Sequence, residues 1–254
     1  MLIINADDYG RSRACTDSSL QCFGRGRITS ASAMVFMTDS RRAAESALEA
    51  GLDTGLHLNL DLPFDGLEIP HQVGSRHARL VRYFRCGRWS HFVYDPFIKN
   101  DLDYVFQAQY EEYGRLFARE PAQVDGHQHV HLSANVLMDR VIPSGLCVRR
   151  HFTFRPGEKS LINRSYRRLV DRWLTHRYIC TDAFFSIEPL HDVPRIARII
   201  SLAYSSNVEL MVHPSEAEQC RFLLSPQFGE LIGDVAQGTY RLLAPERARG
   251  GSRR

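Results

Sequence analysis

Short apolar runs alternate along this chain with polar stretches of helical period. Leu2-Ile3-Ile4 reads as a buried first strand running into Asn5-Ala6-Asp7-Asp8-Tyr9-Gly10. Ser12 can cap a helix that continues to about Phe23, before Gly24 and Gly26 break it. Residues 28–36 (ITSASAMVF) are strand-like, and residues 40–50 predict an Ala-rich helix stopped by Gly51. Residues 54–60 alternate strictly, so His57 and Asn59 share one face while Leu56, Leu58 and Leu60 share the other. From Asp61 to about Asn100 no period is visible, and the length predicts a functional loop or lid. Leu102, Val105, Phe106, Gln109, Tyr113, Leu116 and Phe117 then recur at helical spacing.

Beyond Pro121, Val124 leads into Asp125-Gly126-His127-Gln128-His129-Val130-His131. In an extended strand Asp125, His127, His129 and His131 leave one face, where a core strand would carry Val, Ile or Leu. Residues 133–141 predict a helix stopped by Pro143 and Gly145, and Leu146-Cys147-Val148 another short strand ending at Arg149. Residues 149–177 are strongly basic, with Leu169, Val170, Trp173 and Leu174 as an apolar stripe within them. Residues 181–185 and 208–213 read as strands and residues 193–203 as a helix with Pro194 in its first turn.

About seven strand–helix units in a row imply an α/β fold with a parallel sheet. A TIM-like, distorted (β/α) barrel would gather the polar ends of strands one, three, four and seven at one mouth. No composition shift marks a linker, so residues 1–245 read as one domain. The Arg- and Gly-rich residues 246–254 read as a disordered basic tail.

Composition changes little. The 254 residues are 44% hydrophobic and 24% charged, ordinary for a globular protein, and a net charge of +3 gives no reason to expect nucleic acid. Six cysteines without a CxxC pair argue against a zinc ribbon or a disulfide framework, and for a reducing, cytoplasmic setting. The early Asp7 and Asp8 leave no room for a signal peptide.

Asp8, His57 and His127 make an Asp-His-His set drawn from three strands, which leaves coordination positions open as catalytic metal sites require. Asp7 adjoins Asp8, and a turn there would let one carboxylate hold metal while the other handles a proton. An Asp suffices as general base if the water it deprotonates has its pKa lowered towards about 7. His213, at the end of the last strand, is suited to protonating a leaving group. His71, His77, His91, His151, His176 and His191 are scattered and read as surface or packing residues.

Asn5-Ala6-Asp7-Asp8-Tyr9-Gly10, Gly55-Leu56-His57-Leu58-Asn59-Leu60, Asp125 to His131 and His213-Pro214 together resemble the YdjC-like carbohydrate deacetylases. That family includes the chitooligosaccharide and the hopanoid-associated deacetylases. The resemblance implies an α/β barrel with one divalent metal ion, Mg or Zn, on Asp8, His57 and His127. It also implies Asp7 as general base and His213 as general acid in the hydrolysis of an N-acetyl group. Gly126 stands where a Ser is frequent, and residues 61–66 lack the Thr-x-Gly-x-Pro turn of many relatives, which leaves substrate identity open.

Same-face strand residues lie about 7 Å apart, so His127, His129 and His131 cannot all bind one ion. His129 then faces substrate or supports a metal ligand from behind, and His131 is structural. Arg149 orients Asp7 or binds substrate, and Asn59 shares the substrate side. The implied substrate is an N-acetylated sugar or glycolipid. Other readings are a metal phosphoesterase, favoured by the basic 149–177 region, a catalytically silent sugar-binding protein, and a non-haem iron site. For the basic region the alternatives are a solvated outer helix and a weak contact with an anionic membrane surface. Oligomeric state stays open, a homodimer included.

Overall fold

The computed structural model describes residues 1–154 and 160–244. Its centre is one sheet of six parallel strands: β1 (Leu2–Tyr9), β2 (Ser30–Ala33), β3 (Asp53–Leu58), β4 (Val124–Gly126), β5 (Ala183–Ser186) and β6 (Val208–Val212). The spatial order is β4-β3-β2-β1-β6-β5, and the sheet curls into a half-barrel. Around it run α1 (Arg13–Gly24), α2 (Ser40–Ala50), α3 (His71–Arg85), α4 (Lys99–Phe117), α5 (Ala134–Met138), α6 (Leu161–Arg177), α7 (Val193–Leu202), α8 (Ala217–Leu224) and α9 (Pro226–Ile232). No described helix is long and apolar enough to cross a membrane.

Local chemistry explains most boundaries. Ser12 accepts from the Cys15 N–H to start α1, and Asp192 accepts from the Arg195 N–H to start α7. Gly51 closes α2 at φ 72°, a left-handed conformation that costs glycine little. The helix-facing side of the sheet is apolar, with Leu2, Ile4, Ala6, Ala31, Leu56, Leu58, Val208, Leu210 and Val212 in one core. The alternate residues face inward and are polar. The Asn5 amide donates to Ser32 Oγ (2.7 Å), Ser30 Oγ donates to Asn5 Oδ1 (2.8 Å), and Gln123 Nε2 donates to both Asn5 and Ser32 (3.2 Å each). A parallel sheet is covered on both sides, so buried polar groups on its inner face need such partners.

Four expectations change. Among the described residues six regular strands form an open half-barrel where a TIM-like barrel of about seven was expected. Residues 146–148 contribute only single bridges, Val124 to Val148 and Cys147 to Ile179, because β4 beside them is itself only three residues long. The His-rich stretch is not a strand: β3 ends at Leu58 opposite Gly126, so no ladder partner remains beyond it. The backbone winds instead into a 3-10 turn over His127–Leu132, with Gln128 and His129 at φ 49° and 58°. Within 61–100 lies a full helix, α3. Its buried line Val73, His77, Leu80, Val81, Phe84 is helical, but His77 occupies a core position and hides the period. The predicted 133–141 helix shortens to α5. The sequence positions 155–159 of the basic stretch, and the basic tail, lie outside the described residues.

Candidate active site

Parallel strands place their C-terminal ends, and the loops that follow, at one rim. Asp7 continues the inward alternation of β1. Asp8 would then point outward, but its backbone takes φ 66° and the β1–β2 register shifts there, which brings its carboxylate to the same rim. Aspartate is among the few residues that adopt this conformation readily.

Asp8 Oδ2 accepts from Arg11 Nη1 at 3.0 Å, whereas Oδ1 is buried without a hydrogen-bond partner. It faces His57 Nε2 at 3.5 Å and His127 Nε2 at 4.0 Å. Each imidazole is braced from behind: His57 Nδ1 lies 2.8 Å from Asp125 Oδ1, and His127 Nδ1 lies 2.8 Å from Asp61 Oδ1. A carboxylate only accepts, so each Nδ1 carries a proton and each Nε2 is the atom turned toward Asp8, where a bound ion would take the place of any proton on it. The two rings stand edge to face at 87°.

Beneath this trio lies Arg149, fully buried. Its Nη1 and Nη2 donate to the two oxygens of Asp7 at 2.7 Å each. Nη2 also lies 2.7 Å from Asp125 Oδ2, and Nε donates to Glu209 Oε1 at 2.8 Å. The second oxygen of Glu209 accepts from the Tyr240 hydroxyl. Burial opposes the charge on Asp7, but Arg149 and His57 hold its carboxyl well below the usual carboxylate range. Burial likewise opposes the charge on Asp8, and its contact with His57 overrides it. In the metal-free protein burial opposes protonation of His57, yet Asp125 and Asp7 push its pKa up to about 10. Glu209 goes the other way: burial raises it to about 7 against the pull of Arg149.

Two groupings could hold a cation. Ligand-capable atoms of Asp7, His57 and Asp125 lie within 4.8 Å of one another. Both carboxylates there already bind the guanidinium of Arg149, a positive charge in direct contact. Asp8, His57 and His127 instead turn an unpartnered oxygen and two Nε2 atoms toward one another, and among the described residues the only arginine or lysine paired with them is Arg11, on the far oxygen of Asp8. This second donor set fits a small divalent ion better.

The structure brings Asp7, Asp8, His57 and His127 together, as the sequence suggested they should meet. His213 is half-buried, its backbone N–H donating to Gln219 Oε1 at 2.8 Å, and it is the last of the groups that lower the Asp7 carboxyl, after Arg149 and His57. His129 turns away: its ring meets Phe152 at 4.7 Å and lines a cavity of about 380 Å3 with Gln128, Phe92 and Tyr166. His131 is buried, with Nε2 3.1 Å from the Arg149 carbonyl. Arg149 bonds both oxygens of Asp7, and no part of it is open to substrate. Asn59 is also buried and clamps the following loop, donating to the Leu62 carbonyl and accepting from the Leu62 N–H. Two contributors escaped the sequence reading. Asp61 continues the His57, Asn59 alternation by one more step, and Glu209 is an acid inside an apolar strand. Both signals were present.

A family model described as YdjC-like protein matches residues 1–234. The carbohydrate deacetylase of Mus musculus is 26% identical, the alignment covering 84% of this chain and 77% of that one. The chitooligosaccharide deacetylases of Proteus mirabilis and Yersinia pestis (strain Pestoides F) are 29% and 27% identical. Each of these two alignments covers 52% of this chain and only about half of the relative, 50% and 51%. Among solved structures, an Enterococcus faecalis protein provisionally assigned to cellobiose-phosphate cleavage superposes with a TM-score of 0.66. It is 20% identical over 96% of this chain and 98% of its own, a likeness of fold.

Proposed function

The chain belongs to the YdjC-like family, and we propose that it is a metal-dependent deacetylase removing an N-acetyl group from an amino-sugar substrate. The observation that carries this reading is the unpartnered Oδ1 of Asp8 facing two imidazoles whose Nδ1 atoms are both braced by carboxylates. Its relatives' names, carbohydrate deacetylase and chitooligosaccharide deacetylase, support the reaction class.

Asp8, His57 and His127 are the residues that would hold the ion, one Mg or Zn. Such an ion supplies positive charge that polarises an amide carbonyl and acidifies a water. Asp7, kept ionised by Arg149, accepts the proton of the attacking water at an oxygen that still has a free lone pair. Arg149 holds the plane of that carboxylate, and Glu209 and Asp125 hold Arg149. His213, directly after the end of β6, donates a proton to the departing amine, and acetate leaves. Asp61 and Asp125 keep the two imidazoles in the Nδ1–H tautomer. His129 borders the sugar or its substituent from the adjoining cavity.

Acetate release from a panel of N-acetylated sugars and glycolipids tests this, using metal-stripped protein, metal-restored protein and His127→Ala. Release that needs both metal and His127 supports the reading. Release that persists in stripped protein, or in His127→Ala, contradicts it.

A further inference from the structure

The outward face of α6 carries leucines where a solvated helix would carry charge. Leu161 and Leu169 are 73% and 69% exposed, while Asp171 and Leu174 turn inward. Exposed Arg168 and Arg172 flank Leu169 at helical spacing. On the flank of the same helix the Tyr166 ring meets Phe92, centroids 6.3 Å apart. Phe92 follows the turn containing Trp89, and Trp89, Phe92 and Val93 are each more than half exposed. The Tyr83 hydroxyl donates to the Val93 carbonyl at 3.0 Å, which ties this turn to the end of α3, where Arg82 and Arg85 are exposed. Among the described residues, none of these four arginines has a carboxylate within ion-pair distance.

Single exposed apolar residues are ordinary, but a linked patch of leucines and aromatic rings bordered by unpaired arginines is not. We propose that this face docks on an anionic lipid surface. Aromatic rings sit well at a bilayer interface, leucines enter the acyl boundary, and arginines meet lipid phosphates. Charge favours this occupant over a second copy of the chain, because a two-fold pairing would set the same arginines against each other. Phe92 and Tyr166 also line the cavity beside His129, so docking brings its mouth to the lipid. A lipid-linked amino sugar would then reach the rim from the membrane. That consequence rests on the deacetylase reading; the docking does not.

Flotation of the full chain with phosphatidylcholine vesicles, with and without phosphatidylglycerol, tests the proposal. Binding is expected only with the anionic lipid, weakening at high salt. Trp89 emission should shift to the blue and be quenched by brominated acyl chains, and Trp89→Phe should remove that signal. Replacing both Arg168 and Arg172 by Gln should weaken binding roughly 30-fold, two interfacial arginines' worth. Leu161→Ser with Leu169→Ser should weaken binding and reduce the quenching. All are surface changes, so thermal melts and acetate release from a soluble substrate should match wild type, which separates failure here from failure of the deacetylase reading. No binding to anionic vesicles, binding unaltered in both double variants, or a solution dimer that Leu161→Ser with Leu169→Ser dissolves would overturn it.

Discussion

Arg149 grips both oxygens of Asp7 at 2.7 Å from 142 residues further along the chain, itself fully buried while Asp7 keeps a 4% exposed edge. One guanidinium thereby serves three buried carboxylates: Asp7, Asp125 and Glu209. The arrangement divides the adjacent aspartates. Asp7 is committed through both oxygens to a cation the protein supplies itself, whereas Asp8 meets Arg11 through Oδ2 alone and keeps Oδ1 unpartnered.

Removing that cation strands three acids in the interior. Arg149→Gln should cost about 3–5 kcal/mol of folding stability, measured by urea denaturation. Arg149→Lys keeps the charge but not the planar fork, and should fold better while still losing turnover. A loss below about 1 kcal/mol in Arg149→Gln would show that the network is not holding the rim.

Glu209 sets a pH dependence of stability. Its folded pKa, about 7, exceeds the ordinary 4.5, so the folded chain binds the extra proton between those values. Stability carries no penalty below about pH 4.5 and falls as pH rises through 7, by on the order of 3 kcal/mol for this group. Asp7 has the opposite sign, since its depressed pKa stabilises above 3.8 and that contribution fades as pH falls below. Relative to wild type, metal-free Glu209→Gln should therefore gain stability between pH 5 and pH 8. Parallel stability curves for the two proteins would contradict this.

Asp61 is half-buried at the rim and braces His127 from behind. Asp61→Asn keeps the shape and removes the charge, so metal affinity should fall about 10–100-fold with little change in melting temperature. Calorimetric titration of the stripped protein with zinc reads it. Unchanged affinity would place His127 outside the metal site.

Gly55 lies against Gln123, the residue that leads into β4. A Cβ there would stand 2.5 Å from the Gln123 carbonyl oxygen and 2.2 Å from its side chain. Gln123 is itself bonded to Asn5 and Ser32, so it cannot yield freely. Gly55→Ala should cost about 1–3 kcal/mol or more in denaturant unfolding.

Where period, caps and breakers agreed, the sequence was legible. α2 and α7 lie within a residue of expectation at both ends, and β6 ends just before His213. α3 was hidden because His77 takes an apolar place, stacked on Phe64 at 3.5 Å between ring centroids. The histidine triplet misled because alternation of residue type says nothing of φ, and two left-handed residues break the face they would have shared. The meeting of Asp8, His57 and His127 was readable from strand ends. The commitment of Arg149, Asp125 and Glu209 to one network was not, because it joins residues that no local pattern relates.

The position of a bound metal decides which aspartate is ligand and which is base. Anomalous diffraction at the zinc edge, from crystals of the stripped protein soaked in zinc, locates it directly. A single peak between Asp8 Oδ1 and the Nε2 atoms of His57 and His127, with Arg149 still on Asp7, is the predicted result. A peak among Asp7, His57 and Asp125, with Arg149 displaced, would contradict it and reverse the roles of the two aspartates.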